Sequence, residues 1–216
     1  MRIATWNVER LKHHKQLDEI KQVCLQCHAD ILVLTETDLR IELPYQYCFS
    51  TASLPAPYYK STERRVSIFT DYHCISQQPT YDEKTALCVE LDTEEGPFLV
   101  YGTILGVFGN RKPPFKEDLP RQIEDFARLS ATGKSLCVCG DLNCSFSDNY
   151  YFTTDSRAAL IQSFAKNNLR LLTANQRWCI DHIAITSDFV GESDISVSEW
   201  NLDKTLSDHK GIVVSF

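Results

Sequence analysis

The chain has no apolar run of membrane-spanning length, no surplus of positive charge, no internal repeat, no low-complexity segment and no linker. Each absence narrows the reading. A membrane-spanning helix needs about 20 consecutive apolar residues, so no span is expected. Residues 1–30 carry Arg2, Glu9, Arg10, Lys12, Lys15, Asp18, Glu19 and Lys21 with no apolar stretch among them. They do not read as a secretory leader, and a soluble, cytoplasmic protein is expected. Basic residues number 22 against 29 acidic ones, a net charge of −7. Such a chain repels polyanions at long range. A nucleic-acid substrate would therefore need a local basic patch or a bound cation. Without repeat or linker, 216 residues are expected to form one domain over 1–216.

A disulfide-framework pattern of cysteines is also missing. The nine cysteines are an odd number scattered through apolar segments, which reads as buried free thiols. Cys24-Leu25-Gln26-Cys27-His28 matches the haem-attachment string. Ile20, Val23, Cys24 and Cys27, however, fall at i, i+3, i+4 and i+7, one face of an amphipathic helix. Cys137, Cys139 and Cys144 lack the spacing of a zinc site.

The apolar segments give the elements. Strands are expected over Arg2–Val8, Asp30–Thr35, Tyr47–Phe49, Val66–Phe69, His73–Ser76, Thr85–Leu91, Phe98–Leu105, Leu136–Cys139, Ile180–Ile185, Ser193–Glu199 and Gly211–Phe216. Helices are expected over Gln16–Cys27, Lys116–Leu129 and Asp155–Lys166, and a loop over Gly106–Pro114. The first strand–helix–strand unit implies a parallel pair, and Glu94-Glu95-Gly96-Pro97 implies a hairpin. This is an α/β chain, read as two mixed β-sheets packed face to face with helices outside.

Short polar motifs end or interrupt these runs. Asn7 follows the first strand and Glu36 the second. On adjacent parallel strands both would emerge at one sheet edge, where ligand sites of open α/β sheets gather. A carboxylate with an amide oxygen suits Mg²⁺ or Mn²⁺. Gly140-Asp141-Leu142-Asn143 follows a buried strand. In extended backbone Asp141 and Asn143 share a side. Asp141 can orient a water or pass a proton, and Asn143 can donate to a phosphoryl oxygen; the alternative is an Asx turn. Asp181, between Ile180 and Ile183, is an expensive place for a carboxylate without a partner. Paired to His209 in Ser207-Asp208-His209, it would orient a charged imidazole that binds phosphate. His182 points the opposite way and reads as structural.

Five blocks, in order, carry a resemblance. They are Ile3-Ala4-Thr5-Trp6-Asn7-Val8, Asp30-Ile31-Leu32-Val33-Leu34-Thr35-Glu36-Thr37, Gly140-Asp141-Leu142-Asn143, Ile180-Asp181-His182-Ile183 and Ser207-Asp208-His209. The chain resembles the endonuclease/exonuclease/phosphatase superfamily of DNase I-like phosphoesterases. The resemblance implies a four-layer α/β sandwich whose metal-dependent site lies at one sheet edge. It implies that Glu36 ligates the metal with Asn7 close by, and that Asp208 ligates or tunes it. Asp141 prepares the water or protonates the leaving oxygen, Asn143 holds the phosphate, and His209, oriented by Asp181, contacts the phosphoryl group. The family often places a His or Tyr on a central strand against the phosphate. Here that strand reads Val100-Tyr101-Gly102-Thr103-Ile104-Leu105, with Thr103 at the equivalent position. Arg111 and Lys112 in the following loop are candidate substrate contacts, and Arg64-Arg65 a second pair.

The leading reading is a Mg²⁺- or Mn²⁺-dependent phosphodiesterase acting on DNA or RNA. A hydrolase of small phosphorylated metabolites or lipid headgroups is the alternative, favoured by the acidic charge and short length. A silent binding module is the third reading.

Overall fold

The computed structural model describes residues 1–216. β1 (Arg2–Asn7) leads through two 3₁₀ turns, Glu9–Leu11 and His14–Gln16, into α1 (Leu17–Gln26) and β2 (Ile31–Asp38). Then come β3 (Tyr47–Ser50), β4 (Glu63–Thr70), β5 (His73–Gln78), β6 (Ala86–Thr93) and β7 (Gly96–Ile104). The chain continues through α2 (Pro113–Ser130), β8 (Ser135–Asp141), α3 (Thr154–Lys166), β9 (Leu169–Leu171) and β10 (Asp181–Thr186). It ends in α4 (Ser187–Val190), β11 (Ser196–Trp200) and β12 (Gly211–Ser215).

The strands form two six-stranded sheets, β11-β12-β1-β2-β4-β3 and β5-β6-β7-β8-β10-β9. β1 and β2 pair in parallel, as do β7 and β8. The expected β6–β7 hairpin is antiparallel. The central strands are buried on both faces, which is why they read as nearly continuous apolar runs. Along β1, Ile3 faces the second sheet, whereas Ala4 and Trp6 face α1. Along β7, Phe98 and Val100 face the first sheet, whereas Leu99 and Tyr101 face α2 and α3. Ile3, Ile31, Val33 and Ile68 meet Val89, Phe98, Val100 and Ile183 between the sheets. Each such side chain contributes about 1.5–3 kcal/mol by leaving water. Helix, sheet, sheet and helix give the four layers.

Four details differ from the sequence expectation. α2 starts at Pro113, inside the expected loop, because two prolines occupy its first turn, where proline's missing N–H is harmless. β9 is only three residues long and carries too little pattern to read. The strand expected over Ser193–Glu199 runs from Ser196 to Trp200. All nine cysteines are free, but Cys48 is exposed and Cys74 half-buried. No helix is long and apolar enough to cross a membrane.

Candidate active site

Register brings the polar motifs together. Asn7, the last residue of β1, pairs with Thr35, and β2 runs on to Asp38, so Glu36 lies within that strand rather than after it. Asp141, the last residue of β8, sits directly opposite Asp181, the first of β10. By strand alternation Asn7 continues the Ile3 face, Asp141 the Cys137 and Cys139 face, and Asp181 the Ile183 and Ile185 face. All three therefore point into one end of the gap between the sheets. Asn7 Nδ2 donates to Asp141 Oδ2 at 3.1 Å, a bond from one sheet to the other.

His209 arrives on the loop before β12, and that loop is pinned. Ser207 Oγ donates to the Asn7 carbonyl at 2.6 Å and accepts the His209 N–H at 3.1 Å. Trp6 Nε1 and Asn201 Nδ2 both donate to the His209 carbonyl, at 3.1 and 2.7 Å. The ring then lies with Nδ1 2.6 Å from Asp181 Oδ2. One ligand atom each from Asp141, Asp181 and His209 lies within 4.8 Å of the others, a cluster that would hold a metal ion only with a neutral imidazole.

The electrostatics follow from this crowding. Burial, and then the Asp181 carboxylate, push Asp141 up to about 7, against opposing pulls from His209 and the Asn143 N–H. Burial lowers His209, but Asp181, Asp141 and Asp208 outweigh it and raise the imidazole to about 10. His209 is thus an imidazolium at neutral pH. Glu36 is half-buried with φ +44. Burial raises its carboxyl, and no hydrogen bond or ion pair holds it. A half-buried carboxylate left without a hydrogen bond fits a divalent cation, while Asn7 Oδ1 accepts the Glu9 N–H at 2.9 Å. Asp208 is largely exposed; its Oδ1 lies 3.6 Å from His209 Nε2.

Gly140 makes the corner possible. Its φ is +138, and a Cβ there would strike the Thr103 carbonyl across the β7–β8 pair. The glycine thus serves a close backbone approach. Glu36, Asp141, Asn143, Asp181, Asp208 and His209 line one cavity of about 310 Å³.

Residues 4–209 match the Endonuclease/Exonuclease/phosphatase family. The chain belongs to that family. Its fold is shared with an AP endonuclease from Archaeoglobus fulgidus, at TM-score 0.74 and 17% identity over 100% of this chain and 99% of that one. The 3′ phosphatase NExo from Neisseria, bound to a product DNA hairpin, superposes with TM-score 0.72 at 17% identity, covering 100% and 99%. The endonuclease domain of TRAS1, a telomere-specific non-LTR retrotransposon, gives 0.70 at 17% identity, covering 99% and 96%. No curated protein matches the sequence.

This endonuclease/exonuclease/phosphatase family member departs from the sequence expectation at four positions. Asn143 does not continue β8; it has φ +46, and its own N–H bonds Asp141 Oδ1 at 2.8 Å, the Asx-turn alternative. Its Nδ2 donates to the carbonyls of Leu105 and Gly106 at 3.0 and 3.2 Å, so both amide hydrogens are engaged and neither is left for a phosphate. Thr103 is fully buried on the helix-facing side of β7 with Tyr101, away from the cavity. Ile104 is the β7 residue registered with Asp141. Arg111 and Lys112 are exposed and do not line the cavity. Arg111 borders a separate groove with Phe115, Lys116 and Thr153. Of the second pair, Arg65 bonds Thr85 and Arg64 bonds the Ser61 carbonyl.

The structure also adds residues. Lys204, Lys210, Phe108, Tyr150 and Trp178 line the cavity. Glu9 Oε2 accepts the Asp208 N–H at 2.9 Å, which sets a further carboxylate beside the site. Glu9 and Lys204 lie two and four residues from recognised motif residues, and that proximity was the available signal.

Proposed function

We propose that the chain hydrolyses phosphodiester bonds of nucleic acid with Mg²⁺ or Mn²⁺. The observation that carries this reading is the meeting of Asp141, Asp181 and His209 beside the unpartnered Glu36, in a member of a phosphoesterase family. The similar structures support it, an AP endonuclease and a retrotransposon endonuclease among them.

Glu36 would hold the cation, with the Asn7 amide oxygen close by and Asp208 tuning it. When bound, such an ion neutralises phosphate charge and favours ionisation of a water. The chain's own residues do the rest. Asp141, fixed by Asn7 Nδ2 and the Asn143 N–H, takes a proton from the attacking water or gives one to the leaving oxygen. His209, held by Asp181 through Nδ1, presents Nε2 to a phosphoryl oxygen and stabilises developing negative charge. Asn143 keeps the Asp141 corner in place by tying it to the end of β7.

A second reading, hydrolysis of a small phosphorylated metabolite or lipid headgroup, is favoured by the net charge of −7 and the modest cavity. A panel of DNA, RNA, cyclic and lipid phosphates, each with and without Mn²⁺, separates the two. Cleavage of DNA or RNA that needs the metal and disappears in Asp141→Asn is expected. Intact nucleic acid throughout would sink the first reading.

A further inference from the structure

The mouth of the cavity is aromatic. Phe108 is 67% exposed, Trp178 64% and Tyr150 49%, and all three line the opening. Three large rings left in water around one site form the kind of patch that marks a binding surface.

These rings are held in place rather than trailing on loose loops. The Asp148 carboxylate accepts the Tyr150 N–H at 3.0 Å on one oxygen and the Trp178 N–H at 2.7 Å on the other. One side chain thus fixes two rims of the mouth. Ser147 Oγ donates to the Gln176 carbonyl at 2.7 Å, and Arg157 donates to the Asp148 carbonyl. The Tyr151 hydroxyl accepts the Asn110 N–H at 3.2 Å and occupies the place a Cβ on Gly109 would need. That contact clips the turn carrying Phe108 to the loop carrying Tyr150. Trp178 itself has φ +54. A bulky residue in that region is costly, and such strain gathers at ligand clamps.

Unpaired lysine and arginine charge at the mouth is sparse. Lys210 is held by Glu199 at 2.6 Å and by the Arg177 carbonyl at 2.7 Å. Lys204 pairs with no carboxylate; its ammonium lies 5.5 Å from the Tyr150 ring centre and 3.4 Å from that hydroxyl. A protein that grips a duplex backbone neutralises several phosphates at once. This mouth offers ring faces and one free lysine instead.

We propose that Phe108, Tyr150 and Trp178 form a stacking platform for unpaired nucleobases next to the scissile phosphate, with Lys204 on the adjoining phosphate. The chain then selects single strands and frayed ends over intact duplex, because base faces are covered in a duplex and open in a single strand. This selectivity rests on the phosphodiesterase reading above.

Tryptophan fluorescence of the whole chain tests it, with EDTA present to separate binding from turnover. Trp6 is fully buried and Trp200 half-buried, so Trp178 is the ring open to quenching. Three probes of equal phosphate count are titrated: a single-stranded oligothymidylate, a blunt hairpin and an abasic oligomer. The oligothymidylate is expected to quench at about tenfold lower concentration than the other two. Trp178→Phe should lose most of the quench. Phe108→Ala and Tyr150→Ala should each weaken binding about tenfold with unchanged melting temperature, since both rings are exposed. Equal binding of abasic and base-bearing oligomers would overturn the platform. So would a response to phosphatidylcholine vesicles with none to oligonucleotides, which would make the mouth a membrane contact. Base-dependent quenching in a chain that cleaves no strand would support the platform and sink the hydrolase reading. Cleavage of hairpin and single strand alike, unchanged by the ring variants, would do the reverse.

Discussion

His209 and His182 show how differently one fold can treat the same side chain. His209 meets three carboxylates and is raised to about 10; His182, 0% exposed with Nδ1 bonded to Thr173 Oγ1 at 2.9 Å, is lowered to about 4 by burial. His209→Ala and Asp141→Asn should each lower kcat by roughly 10²–10⁴, with the fold intact by circular dichroism. Full turnover in both would remove them from the chemistry. Glu36→Gln should move the Mn²⁺ midpoint to higher concentration, and an unchanged titration would remove its ligand role. His182 predicts acid sensitivity instead. Its folded value lies below the unfolded 6.5, so the unfolded chain binds the extra proton. The associated stability is complete above pH 6.5 and is lost as pH falls to about 4, up to about 3 kcal/mol. Urea midpoints measured between pH 7 and 4 should fall less in His182→Gln than in wild type. That Asp141, Asp181 and Glu36 would meet in one cavity was legible in the sequence, because a carboxylate beside an apolar run needs a reason. Thr103 and Asn143 were misjudged because facing depends on parity and on one left-handed φ. A strand that is apolar on both faces, such as β7, does not display its parity.

At the scale of elements, apolar runs located most strands, since burial on both faces leaves an unmistakable stretch such as Ile31–Leu34. Which strands share a sheet was hidden, because β4 and β5 are consecutive yet belong to different sheets. Prolines 113 and 114 were read as loop, though they start a helix. The β7–β8 pair supplies a test. Gly140→Ala places a methyl group against the Thr103 carbonyl and forces φ +138 on a residue that resists it. A loss of about 1–3 kcal/mol is expected, read as a lower melting temperature. Because Asp141 is the next residue, kcat should fall as well. A variant with wild-type stability and rate would show that the corner relaxes freely.

Charge acts over the whole molecule. A surface with net charge −7 attracts a polyanion only where local cations and a bound metal overcome the general repulsion. At the cavity mouth Lys204 is the one lysine without a carboxylate partner, while Arg111 and Lys112 stand apart. Counterion release then predicts the salt response. Each phosphate neutralised contributes about −0.7 to the slope of log affinity against log salt on a single strand, or about −0.9 on a duplex. With one lysine at the mouth, a single-stranded oligonucleotide should bind with a slope of about −1, within reach of a small phosphate ester. A slope of about −5 or steeper would mean that a remote basic surface, with Arg111 and Lys112 the first candidates, grips the backbone. Measuring the slope again in a variant lacking both charges decides between them: it should stay where it is if the mouth alone holds the strand, and become shallower by about 1–2 if the remote pair takes part.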